Sequence, residues 1–276
     1  MDDGKDQDGR LHAQLTWRAR RLTDPAGIRK FLSGDREYAA FALADLEPAL
    51  FSQCSWYGAE AMGELRALAL VFRGLEPPAL FLMGDTIGLA LIFGSLLREQ
   101  HLFATCKPEH LPILEAYYAT GEVEPMRRMV LKPAQFRTEC RHDPEQLTPA
   151  SIAEINALYD TDRSHRAWFQ PYQLEQGFFY GIREMGQLVA VAGTHLASLT
   201  EGIAAVGNVF THPDCRGRGY ASACTVRVTE ALLKHDLLIV LNVSQNNSTA
   251  ARIYERIGYV DYCEFLEAPA TRRTQR

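Results

Sequence analysis

The chain has 276 residues, of which 47% are hydrophobic, and a formal net charge of −5. A chain of this length and composition can bury one large core or two modest ones, and its negative charge argues against a general affinity for nucleic acid or anionic membranes. The six cysteines contain no Cys-x-x-Cys pair, which indicates neither a zinc site nor a disulfide framework. No apolar segment typical of a signal peptide opens the chain, and the apolar stretch at residues 87–97 is too short to cross a bilayer. We therefore expect a cytoplasmic protein, a monomer or homodimer with neither nucleic acid nor a membrane as its partner.

Residues 1–13 are polar and carry too little apolar surface to fold, so they are predicted to form a disordered tail. Residues 271–276 are interpreted in the same way. From residue 14 to residue 135 the hydrophobic pattern alternates between helical and strand periodicity. In chain order it predicts a helix at 24–32, an apolar stretch at 38–46, strands at 52–59, 65–72 and 79–83, a helix at 87–97, a strand at 102–105, a helix at 111–119 and a strand at 126–131.

Residues 136–147 are polar and break the periodicity, so they form the predicted linker to a second half at 148–268. That half repeats the order of elements. It is predicted to contain a helix at 151–159, strands at 178–182, 188–195 and 202–210, then a helix, a strand, a helix and a last strand at 259–266. Residues 56–65 also align with residues 179–188 at a constant offset of 123, with five of the ten positions identical. Hairpins with a Met-Gly turn can look alike, but the matching order of elements favours a duplication.

The second half contains a strand, a glycine-bearing turn and a helix in direct succession. An apolar run ends at His212-Pro213, the turn is Arg216-Gly217-Arg218-Gly219, and helical spacing begins at Tyr220. Unpaired backbone N–H groups at a helix start, at the positive end of the helix dipole, suit a phosphate group. Glycines let the backbone approach such a ligand closely, and the two arginines add positive charge. An ordinary strand-to-helix turn with surface arginines is the alternative interpretation.

A second segment follows at residues 238–259. A β-branched run ends in a polar Asn/Ser cluster, a short helix carries Tyr254, and Gly258 occupies a predicted helix C-terminus. The spacings Arg216-x-x-Gly219-x-Ala221 and Asn247-x-x-Ala250-x-x-x-Tyr254-x-x-x-Gly258-Tyr259 resemble the signature of the GNAT superfamily of acyl-CoA-dependent N-acyltransferases, over roughly residues 148–267. The resemblance implies an α/β (α+β) fold of two tandem GNAT-like lobes, each a mixed, mostly antiparallel sheet flanked by helices.

The resemblance also implies acetyl-CoA as the co-substrate, with no metal. Coenzyme A carries a pyrophosphate and a 3′-phosphate, which suit the donor-rich helix start and its arginines. On the strand before the turn, main-chain groups would bind the pantetheine arm. The implied cofactor-binding residues are Arg216, Gly217, Arg218, Gly219, Tyr220 and Ala221 at the turn and helix start, Val209, Phe210 and Thr211 on the preceding strand, and Asn247 at the neighbouring strand end.

Acyl transfer to an amine needs a neutral amine, stabilisation of the oxyanion and a proton for the departing thiolate. Tyr254 matches the general acid of the family, with a core tyrosine as the alternative, and a backbone N–H near residues 209–211 would meet the oxyanion. Many relatives place a glutamate base where this chain has Ala205. The candidate bases are therefore His195, Glu201 or a water chain that ends on either of them.

The first half differs at the corresponding turn, where residues 84–88 contain Asp85 and no arginine. A carboxylate repels phosphate, so the first half is expected to have lost the cofactor and to form a wall of the acceptor site or to pack against its twin. This tandem arrangement is similar to that of glycine N-acyltransferase-like proteins and mycothiol synthase. The aromatic segment 165–173 is interpreted either as a specificity lid over the acceptor site or as a packing loop.

Together, these features predict an N-acetyltransferase that moves an acetyl group from acetyl-CoA to a primary amine. A small acceptor such as an amino acid is favoured, because two halves tend to enclose a site between them. Acetylation of a protein N-terminus or lysine is the second hypothesis and would require an open groove. A non-catalytic acyl-CoA sensor is the third hypothesis. It would keep the turn at residues 216–219, here called the phosphate turn, and would need no base.

Overall fold

The computed structural model describes residues 16–139, 141–162 and 169–274, and the predicted tail at 1–13 lies outside them. The first half, here called the first lobe, contains β1 Trp17–Leu22, α1 Pro25–Leu32, α2 Ala40–Ala44, α3 Pro48–Phe51, β2 Cys54–Ala61, β3 Glu64–Phe72, β4 Ala79–Gly84, α4 Thr86–Ser95, β5 His101–Cys106, α5 Leu111–Tyr117, β6 Tyr118–Thr120 and β7 Glu124–Leu131. The second lobe contains β8 Glu145–Gln146, α6 Ile152–Tyr159, α7 Tyr172–Glu175, β9 Tyr180–Glu184, β10 Gln187–Ser198, β11 Ile203–Thr211, α8 Tyr220–Leu233, β12 Leu238–Ser244, α9 Ser248–Ile257 and β13 Tyr259–Arg272. The predicted α/β fold, with a mixed sheet flanked by helices, is confirmed.

The described strands form one 13-stranded sheet in the order β1-β2-β3-β4-β5-β13-β7-β12-β11-β10-β9-β8, with β6 beside β13. Most neighbours are antiparallel, and each lobe has one parallel pair, β4 with β5 and β11 with β12. The lobes exchange their last strands. β7 of the first lobe pairs with β12 of the second, while β13 of the second lobe pairs with β5 of the first. Each lobe therefore completes the sheet of the other.

The helices cover both faces of this sheet. On one face, α4 and α5 enclose a core in the first lobe, and α8 and α9 enclose a separate core in the second. On the other face, α1 and α2 lie over the middle of the sheet, and their core includes Leu196, Ile203 and Ala205 from the second lobe. The first lobe thus packs directly on its twin, which is one of the two arrangements expected from the sequence.

The duplication is visible in the backbone. The turns Met62-Gly63 and Met185-Gly186 have positive φ at both residues, 54° and 80° in the first and 48° and 82° in the second. This is the conformation of a type I′ hairpin turn, which favours glycine at the second position. Gly58 and Gly181 occupy equivalent sites, because a Cβ on either would come within 2.6 Å of the leucine seven residues later. The two lobes therefore share turn conformation and close packing as well as sequence.

Two expectations at the chain ends and the linker are corrected. Thr271 and Arg272 belong to β13, which pairs with β5 and β6, so the expected disorder of residues 271–276 is wrong at these two positions. Ladder hydrogen bonds satisfy the backbone there without any apolar side chain. The predicted linker at 136–147 contains the edge strand β8, which pairs with β9. No helix among the described residues has the length and hydropathy to span a membrane.

Candidate functional site

The two parallel strands of the second lobe separate at their carboxyl ends. β11 pairs with β12 only from Ile203 to Val206, opposite Leu238 to Leu241, although β11 continues to Thr211 and β12 to Ser244. Among the described residues, no strand lies between the facing edges of the separated ends, so main-chain groups there can bond to a ligand. Ligands of open α/β sheets bind outside the carboxyl ends of the strands. We call the space between residues 207–211 and residues 242–244 the strand gap.

A bulge bends β11 at the start of the strand gap. Asn208 has a φ of 53°, a left-handed conformation that asparagine tolerates better than most residues. Its carbonyl accepts a hydrogen bond from Tyr159 Oη at 2.9 Å, and its Nδ2 donates to Gln173 Oε1 at 3.0 Å and to Thr194 O at 3.2 Å. These bonds hold the bulge in a fixed position. Asn208 is not among the predicted site residues, although an asparagine after a glycine within a strand pattern was the available signal.

The turn before α8 forms a concave backbone surface beside the strand gap. Gly217 and Gly219 have φ values of 79° and 88°, and α8 begins at Tyr220 with no side-chain cap among the described residues. The first amides of an α-helix have no partner within the helix, so those of α8 are available to an anion. The turn has the backbone shape on which the phosphate prediction depends, and phosphate binding itself stays a prediction.

The two arginines of this turn pair with carboxylates. Arg216 lies 2.8 Å from Asp162, and Arg218 lies 2.8 Å from Glu184. Tyr220 also donates a hydrogen bond to Glu184, and this bond, together with Arg218, lowers the pKa of the Glu184 carboxyl. Exposed ion pairs contribute only about 0–1 kcal/mol. A phosphate group can therefore replace either carboxylate at small cost.

Val209, Phe210 and Thr211 border the strand gap, as their predicted role requires. Phe210 is buried against Tyr159, with ring centroids 5.5 Å apart. The carbonyl of Thr211 accepts a hydrogen bond from Arg216 Nε at 3.2 Å. These contacts fix the strand through its side chains and one carbonyl, and binding of pantetheine by the remaining main-chain groups stays a prediction.

The other predicted cofactor residues have structural roles too. Asn247 caps α9, because its side-chain oxygen accepts a hydrogen bond from the Ala250 amide at 3.0 Å, while its Nδ2 can still donate to a ligand. Ala221 lies in the first turn of α8 and accepts a hydrogen bond from Thr225 Oγ1 at 2.8 Å. His142, from the predicted linker, donates to the carbonyl of Arg218 at 2.9 Å. The linker thus contacts the phosphate turn.

Tyr254 lies on the buried face of α9. Its ring meets Tyr259 edge-on, with centroids 6.2 Å apart. Burial raises the pKa of the Tyr254 phenol to about 12, so the group stays protonated at neutral pH. A general acid must carry its proton, and a packed core tyrosine would look the same. The role of Tyr254 therefore stays a prediction.

His195 lies at the apex of the strand gap, where β11 and β12 separate. A Cβ on Gly207, the first residue of β11 beyond the paired segment, would come within 2.1 Å of the His195 ring. The imidazole therefore covers Gly207, and no side chain fits there. Phe41 of α2, from the first lobe, has its ring centroid 6.2 Å from that of His195. Of the two candidate bases, His195 is the one beside the gap.

Glu201 lies at the opposite end of β11. The separation from Gly202 to Gly207 along the strand is about 17 Å at roughly 3.3 Å per residue. The Glu201 carboxylate forms a bidentate ion pair with Arg29 of α1, at 2.7 Å and 3.0 Å. The main-chain carbonyl of Glu201 accepts a hydrogen bond from Arg36 at 2.6 Å. The expectation that Glu201 serves as the base is corrected by this position, because its carboxylate joins the two lobes away from the gap.

In the first lobe, side chains of that lobe bond to main-chain carbonyls at the corresponding strand end, that of β4. β4 pairs with β5 from Ala79 to Phe81. Beyond that point Tyr38 Oη donates to the carbonyl of Leu82 and His110 Nε2 donates to the carbonyl of Gly84, both at 2.9 Å. The second lobe has a tyrosine bond of the same kind, from Tyr159 to Asn208, so bonds of this type do not distinguish the lobes. The expected loss of the cofactor in the first lobe stays a prediction.

A cleft of about 820 Å³ lies beside this end of the first lobe. Its charged lining residues are equally divided between the two signs: Arg20, Lys30, Arg66 and Lys107 against Asp24, Glu60, Glu64 and Glu109. Two of these cations already pair with lining acids, Arg20 with Glu60 and Arg66 with Glu64. A wall of balanced charge does not favour a polyanion such as coenzyme A.

Residues 145–259 match the family model described as Acetyltransferase (GNAT) family. A GCN5-related N-acetyltransferase from Sphaerobacter thermophilus is similar in structure, with a TM-score of 0.66 and 17% identity over 94% of this chain and 97% of the other. An acetyltransferase from the GNAT family of Colwellia psychrerythraea has a TM-score of 0.60 and 11% identity, over 92% of this chain and 100% of the other. A tandem GNAT protein from the clavulanic acid biosynthesis pathway has a TM-score of 0.60 and 13% identity, over 95% and 100%.

None of the curated proteins matches the sequence significantly. At identities this low, likeness to the solved structures shows the fold alone, and that fold extends over both lobes. The strand gap and the phosphate turn lie within the part of the chain that the family model covers. Residues 145–259 therefore carry the sequence pattern of the GNAT acetyltransferase family, within a chain whose whole fold is GNAT-like.

Proposed function

We propose that this protein is a tandem GNAT enzyme that transfers an acetyl group from acetyl-CoA to the primary amine of a small molecule. The observation that carries the proposal is the separation of β11 from β12 directly beside a glycine turn that opens α8. Phosphates on the turn and pantetheine in the strand gap would place the thioester near the apex of the gap. We also propose the tandem arrangement of glycine N-acyltransferase-like proteins, with the cofactor in the second lobe only.

The residues at the gap suit the steps of the reaction. A neutral amine attacks the thioester carbonyl, and its proton passes to His195 or to a water held by it. A backbone N–H between Val209 and Thr211 stabilises the oxyanion. The C–S bond then breaks, and the coenzyme A thiolate takes a proton from Tyr254, which is protonated at neutral pH because burial raises its pKa.

A small acceptor is favoured because the first lobe covers the sheet at this point. Phe41 of α2 lies against His195, and the core of α1 and α2 continues onto β10 and β11. A protein N-terminus or lysine would need an open groove on this face. Acetylation of a protein is therefore the second hypothesis, distinguished by the acceptors that are used.

The first experiment is isothermal titration of the full chain with acetyl-CoA, followed by a free-thiol assay over a panel of amino acids, polyamines and peptides. We expect binding, and thiol release that depends on a small amine. Binding without release from any acceptor would favour an acyl-CoA sensor. Release with peptides alone would favour protein acetylation, and absence of binding would exclude the proposed cofactor site.

A further inference from the structure

A row of polar positions crosses the sheet at the apex of the strand gap, on the face that α2 covers. Gly207 and Asn242 are the first residues of β11 and β12 beyond their paired segment. Arg128 of β7 is the direct partner of Asn242 in the next strand. His195 lies over Gly207 at the other end of the row. Arg128 comes from the first lobe, because β7 is one of the two exchanged strands.

Arg128 is a buried cation whose partners are few. It is 1% exposed, and burial lowers the pKa of its guanidinium, which remains charged at physiological pH because arginine does not deprotonate in proteins. Nη1 donates to the carbonyls of Glu37 at 2.9 Å and Tyr38 at 3.3 Å. Nε has no partner among the described residues. Two carboxylates, Glu267 and Asp35, act on the charge of Arg128, but neither forms a hydrogen bond or ion pair with it among the described residues. A buried charge without a directly bonded counter-ion is costly, so the site favours an anion.

The surroundings of Arg128 supply two further features. The rings of Phe41 and Phe265 lie 5.0 Å and 5.3 Å from its guanidinium carbon, which stabilises a cation only partly. The side-chain oxygen of Asn242, on the adjacent strand, is buried and also has no partner among the described residues. One unpaired donor and one unpaired acceptor therefore lie on neighbouring strands, whose paired residues are about 4.5–5.5 Å apart.

We propose that Arg128 and Asn242 recognise the acceptor and that the acceptor is an α-amino acid, with its carboxylate on Arg128 and its amine on the Asn242 side-chain oxygen. An amine and a carboxylate on the same carbon fit between groups on adjacent strands, and the amine then faces His195 across the gap. This inference rests on the proposed function. It also gives the first lobe a direct part in substrate binding through its exchanged strand. Phe41 covers the site, so its side chain has to move when the acceptor enters.

The alternative is that Arg128 only holds the two lobes together through the carbonyls of Glu37 and Tyr38. The two roles predict different effects of an Arg128 substitution: loss of carboxylate recognition lowers kcat/KM only for acceptors that carry a carboxylate, whereas loss of a structural contact lowers it for every acceptor. We would measure kcat/KM for α-amino acids and for the matching amino acid amides, which keep the amine and lose the carboxylate charge. The variant is Arg128→Met, and the control is Arg127→Met on the same strand, whose arginine pairs with Asp261 at 2.8 Å.

We expect the wild-type enzyme to prefer the amino acid over its amide by at least about 30-fold, since truncation of one partner of a buried charge pair costs roughly 2 kcal/mol or more. Arg128→Met should remove that preference and leave kcat/KM for the amide within about 3-fold. Arg127→Met should keep the preference. An equal loss with both substrates in Arg128→Met, or no preference in the wild-type enzyme, would overturn the proposal.

The wild-type comparison keeps the proposal testable if Arg128→Met does not fold. A second measurement separates it from the proposed function: calorimetric titration of the protein, saturated with coenzyme A, with the amino acid and with its amide. Tighter binding of the amino acid supports the proposal even without turnover. Acetylation of amines with equal binding of both ligands would overturn the proposal and leave the transferase in place.

Discussion

The two lobes keep the same scaffold and differ at the carboxyl ends of their parallel strands. Both have the same turn at residues 62–63 and 185–186, and in both a buried tyrosine donates to a carbonyl at the end of the fourth strand, Tyr38 to Leu82 and Tyr159 to Asn208. In the second lobe, β11 has the bulge at Asn208, and its residues 207–211 continue beyond the segment that pairs with β12. The positions that maintain packing were retained in both copies, while the strand ends proposed to bind the cofactor differ.

The last helices of the two lobes, α5 and α9, also differ in the surroundings of one tyrosine. Tyr117 and Gly121 have the spacing of Tyr254 and Gly258. Tyr117 Oη donates to the carbonyl of Ala90 at 3.2 Å, which ties α5 to α4. For Tyr254, burial alone accounts for its raised pKa, with no hydrogen bond from the described residues contributing. Tyr117 thus has a packing role at the position that the proposed general acid occupies in the second lobe.

Separating the lobes should have the largest effect. If residues 14–135 and 136–276 are produced alone, we expect neither to give a cooperative unfolding transition, because each fragment lacks the exchanged strand that completes its sheet. Mixed or co-expressed fragments should recover both the transition and acetyl-CoA binding. Circular dichroism and size-exclusion chromatography test this, and a stable, monomeric second lobe that binds acetyl-CoA would contradict it.

A carboxylate in the phosphate turn should remove cofactor binding from the second lobe alone. Gly219→Glu is expected to raise the Kd for acetyl-CoA at least about 30-fold, since a repelling charge in contact with phosphate costs roughly 2 kcal/mol or more. Gly219→Ala is the matched control, because it has the same strained φ of 88° without the charge. Thr86→Glu, at the start of α4, should leave Kd unchanged, and loss of binding in that variant would assign the cofactor to the first lobe.

Phenylalanine substitutions test whether Tyr254 of α9 has a catalytic role and Tyr117 of α5 only a packing role. Tyr254→Phe should lower kcat by roughly 100-fold or more with little change in acetyl-CoA affinity, as expected for loss of a general acid. Tyr117→Phe should leave kcat unchanged. Equal turnover of Tyr254→Phe and the wild-type protein would reduce Tyr254 to packing.

The pH dependence of kcat follows from the same residue. Burial raises the pKa of Tyr254 to about 12, so the phenol keeps its proton well above the ordinary tyrosine pKa of about 10. We expect no alkaline fall in kcat from Tyr254 up to about pH 10. A fall below that pH that disappears in Tyr254→Phe would show that the phenol ionises in the working range.

Removing the ion pair between the lobes should have the smallest effect on activity. Glu201→Gln is expected to lower the free energy of unfolding by about 1–2 kcal/mol, less than for a fully buried pair because the Arg29 side chain is 42% exposed. Arg29→Met should have a similar effect on stability, and kcat should stay within about 2-fold in both. A large fall in kcat in Glu201→Gln, with normal stability, would restore Glu201 as a candidate base.

Much of the fold and part of the site could be predicted from the sequence, because their causes are local. The order of helices and strands follows hydrophobic periodicity. Gly219 and Gly258 have left-handed conformations of 88° and 116° at the positions where the turn and the helix end require them. The β1 strand was missed because it is a short, arginine-rich edge strand without a continuous apolar pattern.

The sequence by itself determined the two copies, most of their elements and the glycine turn, since each depends on residues within a few positions of one another. Only the tertiary structure decided that β7 and β13 change places, that Glu201 pairs with Arg29 across 172 residues, and that Arg128 is buried beside Asn242. An exchanged strand has the same hydrophobic periodicity as a strand that stays in its own lobe. An arginine that distant helices bury can have the same neighbours in sequence as a solvent-exposed arginine. These features depend on contacts between distant parts of the chain, which leave no pattern in the neighbouring residues.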